Sequence, residues 1–133
     1  MSEFLIDTDI CSAHLRNVTA VTHRFAQHAG HLHISVLTLG ELLSWTLRPK
    51  SPPKYHQSLL KLTAGVTILD VDRVIAQRFG EVRAQLLDRG QPVASIDLML
   101  GCTALVHGLT TVTHNVQHFV KISGLTIEDW MRP

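Results

Sequence analysis

Four polar residues of this chain carry chemistry if the fold brings them together: Asp7, Glu41, Asp97 and Asn115. Asp7 closes the apolar run Phe4-Leu5-Ile6, and Asn115 follows Thr111-Val112-Thr113-His114. Glu41 stands about one helical turn beyond a second apolar run, and Asp97 opens the stretch Leu98-Met99-Leu100. Carboxylates held close together repel, and at least one pKa rises unless a cation fills the gap. Mg²⁺ prefers oxygen ligands and keeps several waters, so two or three carboxylates suffice to hold it. Such a site can deprotonate a water and neutralise charge on a phosphate, which are the needs of phosphodiester hydrolysis. Thr8 and Thr113 flank the acids and are candidates for positioning substrate or water.

Each of these residues also has a purely structural role open to it. Asp7 can be an Asx turn or the N-cap of a first helix, although Asp9 stands closer to the expected helix start and is the better cap. Thr38-Leu39-Gly40-Glu41 fits a capping box, in which the Glu side chain bonds back to the N-cap backbone. Asp97 can complement the positive end of a helix capped by Ser95, yet the helix it opens is strongly apolar and should be buried. Asn115 can be an ordinary turn residue.

The elements that must position these residues alternate. Short β-branched or apolar runs separate longer segments of helical period, the pattern of an α/β domain with a mainly parallel sheet. Four helices are expected to stop at glycines: Ser12 to Ala29 before Gly30, Pro53 to Ala64 before Gly65, Asp72 to Arg89 before Gly90, and Ser95 to His107 before Gly108. Strands are expected at Phe4 to Ile6, His31 to Ser35, Val66 to Leu69 and Leu109 to Thr113, with Leu125 to Ile127 as a short edge. In the third helix Ile75, Phe79, Val82 and Leu86 form one apolar stripe. In such a doubly wound sheet, ligands bind beyond the carboxyl ends of the strands, where all four polar residues are expected.

With 133 residues, 45% of them apolar, the chain suits a single domain spanning 1–133 with its own core. Lys plus Arg number 12 against 11 for Asp plus Glu, so any hold on nucleic acid must come from a local patch, for which Arg16, Arg24, Arg48, Lys50 and Lys54 are candidates. Cys11 and Cys102 lack metal-ligand spacing and read as reduced, buried thiols of a cytoplasmic protein. No run of eighteen apolar residues occurs, and neither export nor membrane insertion is expected. His31 and His33 have the i, i+2 spacing of a strand zinc pair, but no third ligand stands out, and a pair of half-exposed strand residues is the better reading. His114 and His118 at most reach a substrate phosphate.

The ordered set resembles the PIN-domain toxins of bacterial toxin and antitoxin pairs, of the VapC type. The resemblance runs over nearly the whole chain. It is carried by Phe4-Leu5-Ile6-Asp7-Thr8-Asp9-Ile10, by Ser35-Val36-Leu37-Thr38-Leu39-Gly40-Glu41-Leu42, and by Gly80 to Leu86 with Gly90 to Val93. It continues through Ile96-Asp97-Leu98-Met99-Leu100-Gly101-Cys102-Thr103-Ala104, Val112 to Phe119 and the tail Gly124 to Trp130. It implies an α/β PIN-like domain, a doubly wound, mainly parallel sheet of four to five strands flanked by helices. It also implies an endoribonuclease dependent on Mg²⁺, with Mn²⁺ as a substitute, that cuts tRNA or rRNA to inhibit translation. The implied partners are a second copy, in a homodimer, and a VapB-like antitoxin, for which Leu42, Leu43 and Trp45 are contacts if they are not core.

On this resemblance Asp7 and Asp97 correspond to metal-binding aspartates and Glu41 to a third acid. Asn115 departs from the four-acid version, which favours one firmly held ion over two; an amide can still donate to and accept from a water. A catalytically silent PIN-like module that binds RNA or a partner is the second reading. A receiver-type phosphorylation domain with Asp70 as acceptor is the third, and it lacks a lysine after a late strand.

Overall fold

The computed structural model describes residues 2–132. Strand β1 (Phe4–Ile6) is central and buried on both faces. Its neighbours are β2 (Leu32–Ser35) and β4 (Thr110–Val112), with β3 (Thr67–Leu69) and β5 (Ile127–Glu128) at the edges, in the order β3-β2-β1-β4-β5. All four pairings are parallel, with Phe4 opposite Leu32 and Ile6 opposite Val112. The expected doubly wound α/β sheet is thus present, and its tail segment adds the fifth strand.

Period-2 alternation on β1 explains how one short strand serves two cores. Phe4 and Ile6 enter a cluster with Ile10, Val21, Phe25, Leu59 and Trp130, whereas Leu5 enters another with Ile75, Leu86, Leu98 and Phe119. The first cluster is covered by α1 (Thr8–Leu15), α2 (Thr19–Gln27), α3 (Val36–Thr46) and α4 (Pro53–Gly65). The second is covered by α5 (Arg73–Asp88), α6 (Ser95–His107) and α7 (Val116–Phe119). On α5 the apolar stripe is confirmed: Ile75 and Leu86 are buried, and Phe79 and Val82 pack beside them. Leu42 is buried in the core, and Leu43 and Trp45, each partly buried, pack against the first cluster.

The single helix expected over Ser12 to Ala29 is instead two. Asn17 stands at φ +60° between α1 and α2, a conformation that asparagine tolerates better than most residues. Its N–H donates to the His14 carbonyl at 3.0 Å and that of Val18 to the Ala13 carbonyl at 3.0 Å. These two bonds form a Schellman ending built without glycine, which is why glycine punctuation did not reveal it. The other three helices lie where expected, and α6 ends at Gly108 with φ +66°.

Gly101 fixes α6 against the segment that follows α7. A Cβ there would collide with the Ile122 side chain and touch Leu125 and Phe119. With hydrogen at that position the helix carrying Asp97 packs directly on the tip of Ile122, and a methyl group there would make that side chain turn aside.

Candidate active site

The strand order reverses direction between β1 and β4, and in open α/β sheets ligands bind beyond the carboxyl ends of the strands at such a switch point. Asp7 follows β1 directly, and its N–H extends the ladder by donating to the Val112 carbonyl at 2.9 Å. It is the N-cap of α1: Oδ1 accepts from the Thr8 N–H at 2.7 Å. The expectation that Asp9 caps this helix is therefore corrected, because the helix begins at Thr8 and Asp9 lies inside its first turn. The second oxygen of Asp7 accepts from the Thr113 hydroxyl at 2.8 Å, a buried bond from the residue just after β4.

Burial sets the electrostatics here. Asp7 is only 6% exposed. Its pKa is pushed up to about 7, chiefly by burial and then by the charge of Asp9, with Asp97 adding to it; the bonds from Thr113 and Thr8 pull the other way. Asp9 is raised as well, again mainly by burial, while the His114 N–H at 3.0 Å opposes the shift. Asp97, ninety positions away in the sequence, contributes the smallest part of the upward shift at Asp7.

Glu41 joins through Thr8. The Thr8 hydroxyl donates to Glu41 Oε1 at 2.5 Å, so the residue beside Asp7 orients the third acid. The capping box is not formed, since α3 starts three residues earlier with Ser35 as N-cap and Ser35 Oγ accepting from Leu37 at 3.1 Å. Thr38 lies within that helix, and Glu41 is freed for the site. Asp97 is in the first turn of α6, and the N-cap is Ala94 rather than Ser95, with no side-chain cap. Its Oδ2 instead lies 2.9 Å from His118 Nδ1.

Asn115 is exposed and reaches the centre through its backbone, whose N–H donates to Thr113 Oγ1 at 3.0 Å. Thr113 thus bonds Asp7 and Asn115 at once. Replacing Thr113 by Val removes both bonds at a fully buried position, and a loss of about 1–3 kcal/mol is expected in chemical denaturation. A stability within about 0.5 kcal/mol of wild type would deny Thr113 this role.

Two contributions were not legible in the sequence. His118 was expected at most to touch substrate, yet it holds Asp97. Asp129, with a side chain 9% exposed, accepts from Met131 N–H and lies 2.9 Å from His114 Nδ1, which steadies the loop that also binds Asp9. The Asp7-Thr8-Asp9 spacing was the available signal for the first, acidic part; nothing local pointed to Asp129. His31 precedes β2 and pairs with Glu3, while His33 Nδ1 contacts the Phe4 carbonyl at 3.2 Å, so neither is a zinc ligand. Asp70 follows the edge strand β3, two strands away from β1, and is exposed, which removes the receiver reading.

The donor set suits a hard cation. Among the described residues no three His, Cys, Asp or Glu side chains lie close enough together to hold a metal ion as they stand. The carboxylates here, one of them pushed toward protonation by burial and like charge, are oxygen donors of the kind that a hard divalent cation accepts while keeping part of its water shell.

Comparison with known proteins agrees with the geometry. The family model described as PIN domain matches residues 4–125. A protein of Shigella flexneri named tRNA(fMet)-specific endonuclease VapC is 34% identical over 131 residues, covering 98% of this chain and 99% of its own length. One of Haemophilus influenzae named Ribonuclease VapC2 is 26% identical over 132 residues, covering 98% and 100%. The crystal structure of DNA-bound VapBC from Salmonella typhimurium superposes with a TM-score of 0.89 at 31% identity, over 98% of this chain and 99% of that one. With a domain match from the first strand to the last connection and a full-length relative at this identity, the chain belongs to the PIN-domain family and, within it, to the VapC group.

Proposed function

We propose that this chain is a divalent-metal-dependent endoribonuclease, the toxin of a type II toxin–antitoxin pair, silenced by a VapB-like antitoxin. The observation that carries the reading is Asp7, buried and pushed up to about 7 chiefly by burial and by Asp9, with Asp97 adding to it, at the switch point between β1 and β4. Asp7 and Asp97 would hold Mg²⁺, with Mn²⁺ as a substitute. When bound, the ion supplies a lowered pKa for water and charge neutralisation for the phosphate.

The protein's own residues do the rest. Thr113 and the Thr8 N–H fix both oxygens of Asp7, so its outward lone pairs are held in place before substrate arrives. Glu41, with Oε1 taken by the Thr8 hydroxyl, has Oε2 to accept a proton or hold a water. The Asn115 amide can both donate to and accept from that water, so it positions without adding negative charge. The working unit is taken as a homodimer in the cytoplasm, the compartment of an activity directed at translation.

Relatives from Shigella flexneri and Salmonella typhimurium are named for tRNA(fMet), so that RNA is the first substrate to test. Purified protein is expected to cut it with Mg²⁺ or Mn²⁺ and to stop in chelator, and expression without a VapB-like partner is expected to halt growth. Soluble, folded protein that cuts no tRNA or rRNA and leaves growth unimpaired would instead assign a silent PIN-like binding module.

A further inference from the structure

Away from the acidic centre, a cavity of about 250 Å³ opens where α5 and α6 meet the turn after α7. Its α5 wall is the stripe Arg78, Glu81, Gln85 and Arg89, repeating every three to four residues beside the apolar stripe already described. Lys121 and Ser123 close the opposite wall. Three cations thus face one carboxylate. Among the described residues none of these four charged groups makes an ion pair. Local excess positive charge of this kind stands out in a chain with a formal net charge of only +1.

An unneutralised cluster of two guanidiniums and an ammonium around a pocket of this size is matched to a phosphate, which Arg binds through paired N–H donors. Position selects which phosphate. Leu105, on the wall of the cavity, lies eight residues along α6 from Asp97, about 12 Å by helix rise. The segment 115–123 carries Asn115 at one end and Lys121 and Ser123 at the other, with His118 holding Asp97 between them. Asp7, Asp9 and Asp97 repel an RNA backbone, so binding free energy must come from cations outside that centre.

We propose that the Arg78–Arg89–Lys121 pocket is an accessory phosphate site that grips the RNA backbone a few nucleotides from the bond being cut. The proposal rests on the ribonuclease reading above. RNA leaves the acidic centre along α6 and seats a backbone phosphodiester between α5 and Lys121, with Gln85 and Ser123 as neutral donors. This contact is made equally before and during reaction, so it governs affinity rather than turnover.

The test compares full-length wild type with R78Q/R89Q/K121Q. Fluorescence anisotropy with a labelled tRNA in chelator measures binding without any cleavage. The triple variant is expected to bind about ten- to a hundredfold more weakly at moderate salt, with a salt-dependence slope smaller by about one to two. In Mg²⁺ its KM is expected to rise by a similar factor, with kcat within about twofold and an unchanged melting temperature. A control, K61Q/R73Q/R83Q, removes equal charge from positions that neither line the cavity nor belong to the candidate basic patch at Arg16, Arg24, Arg48, Lys50 and Lys54. Equal loss in the control, or unchanged RNA affinity in the triple variant, overturns the proposal. So does a triple variant that keeps its RNA affinity while losing stabilisation by inorganic phosphate, or losing only its hold on antitoxin. If wild type binds RNA through these residues but never cuts it, the ribonuclease reading fails while the phosphate site stands.

Discussion

Asp7→Asn is expected to abolish RNA cleavage and yet to stabilise the metal-free protein above neutral pH. The activity loss should be about a thousandfold or more, the equivalent of roughly 4 kcal/mol of charge stabilisation at the phosphate. The stability gain follows from burial. Asp7 is 6% exposed, and its pKa rises from an ordinary 3.8 to about 7 on folding, because burial and Asp9 disfavour its charge. The folded chain therefore binds this proton more tightly than the unfolded chain, and stability due to Asp7 is fully present below about pH 4 and lost as pH climbs through about 7. A shift of that size corresponds to on the order of 4 kcal/mol. Asparagine carries no charge to desolvate and can still bond Thr113 and the Thr8 N–H. At pH 8 in chelator the variant should melt several degrees above wild type, and near pH 4 the difference should vanish. Adding Mn²⁺ at pH 8 should raise the wild-type melting temperature and leave the variant unmoved. An Asp7→Asn protein that keeps cleaving RNA, or that melts lower than wild type at pH 8 in chelator, would refute this account.

The same burial explains what the sequence does and does not disclose. β1, β4 and the glycine-terminated helices are legible because local pattern and tertiary role agree: Leu98 and Leu100 are apolar, helical and buried, and Gly108 takes the left-handed turn that ends α6. Helix starts were harder. Ser35 rather than Thr38 begins α3, and Asp7 rather than Asp9 caps α1, because a parallel strand can pass straight into a helix with no loop to separate them. That one-turn error mattered at Glu41, whose apparent capping role hid a bond to Thr8 across thirty-three residues. Asn17 shows the complementary failure, an ending carried by backbone bonds that a residue type permits without announcing. Partners fixed only by the crossing of α6 with the chain after β4, such as His118 on Asp97, have no local signature at all.

That pairing sets the second large effect. Asp97 is more exposed than Asp7, with a side chain 20% accessible, and its Oδ2 is steered by His118 Nδ1 at 2.9 Å. Asp97→Asn should cost activity as severely as Asp7→Asn, about a thousandfold, because both would ligate the ion. The two variants should nonetheless differ in stability: Asp97 lies in the first helical turn and more of its charge is solvated, so its replacement brings no comparable gain at pH 8. His118→Ala removes the steering group and leaves the ligand. Outer partners of ligating groups are worth about 10- to 100-fold in metal affinity or activity, so this variant should need more Mn²⁺ for half-maximal cleavage and recover most of its rate at saturation. Titrating Mn²⁺ against cleavage by the three proteins separates the roles. Recovery of Asp97→Asn at high Mn²⁺, or an His118→Ala protein as dead as Asp97→Asn at saturation, would reverse the assignment of ligand and positioning residue. With the order as expected, the centre is built outward from one buried carboxylate. Asp7 is held where β1 and β4 end, Asp97 is delivered by a helix that packs through Gly101 on the tip of Ile122, and a histidine from the next segment sets its angle.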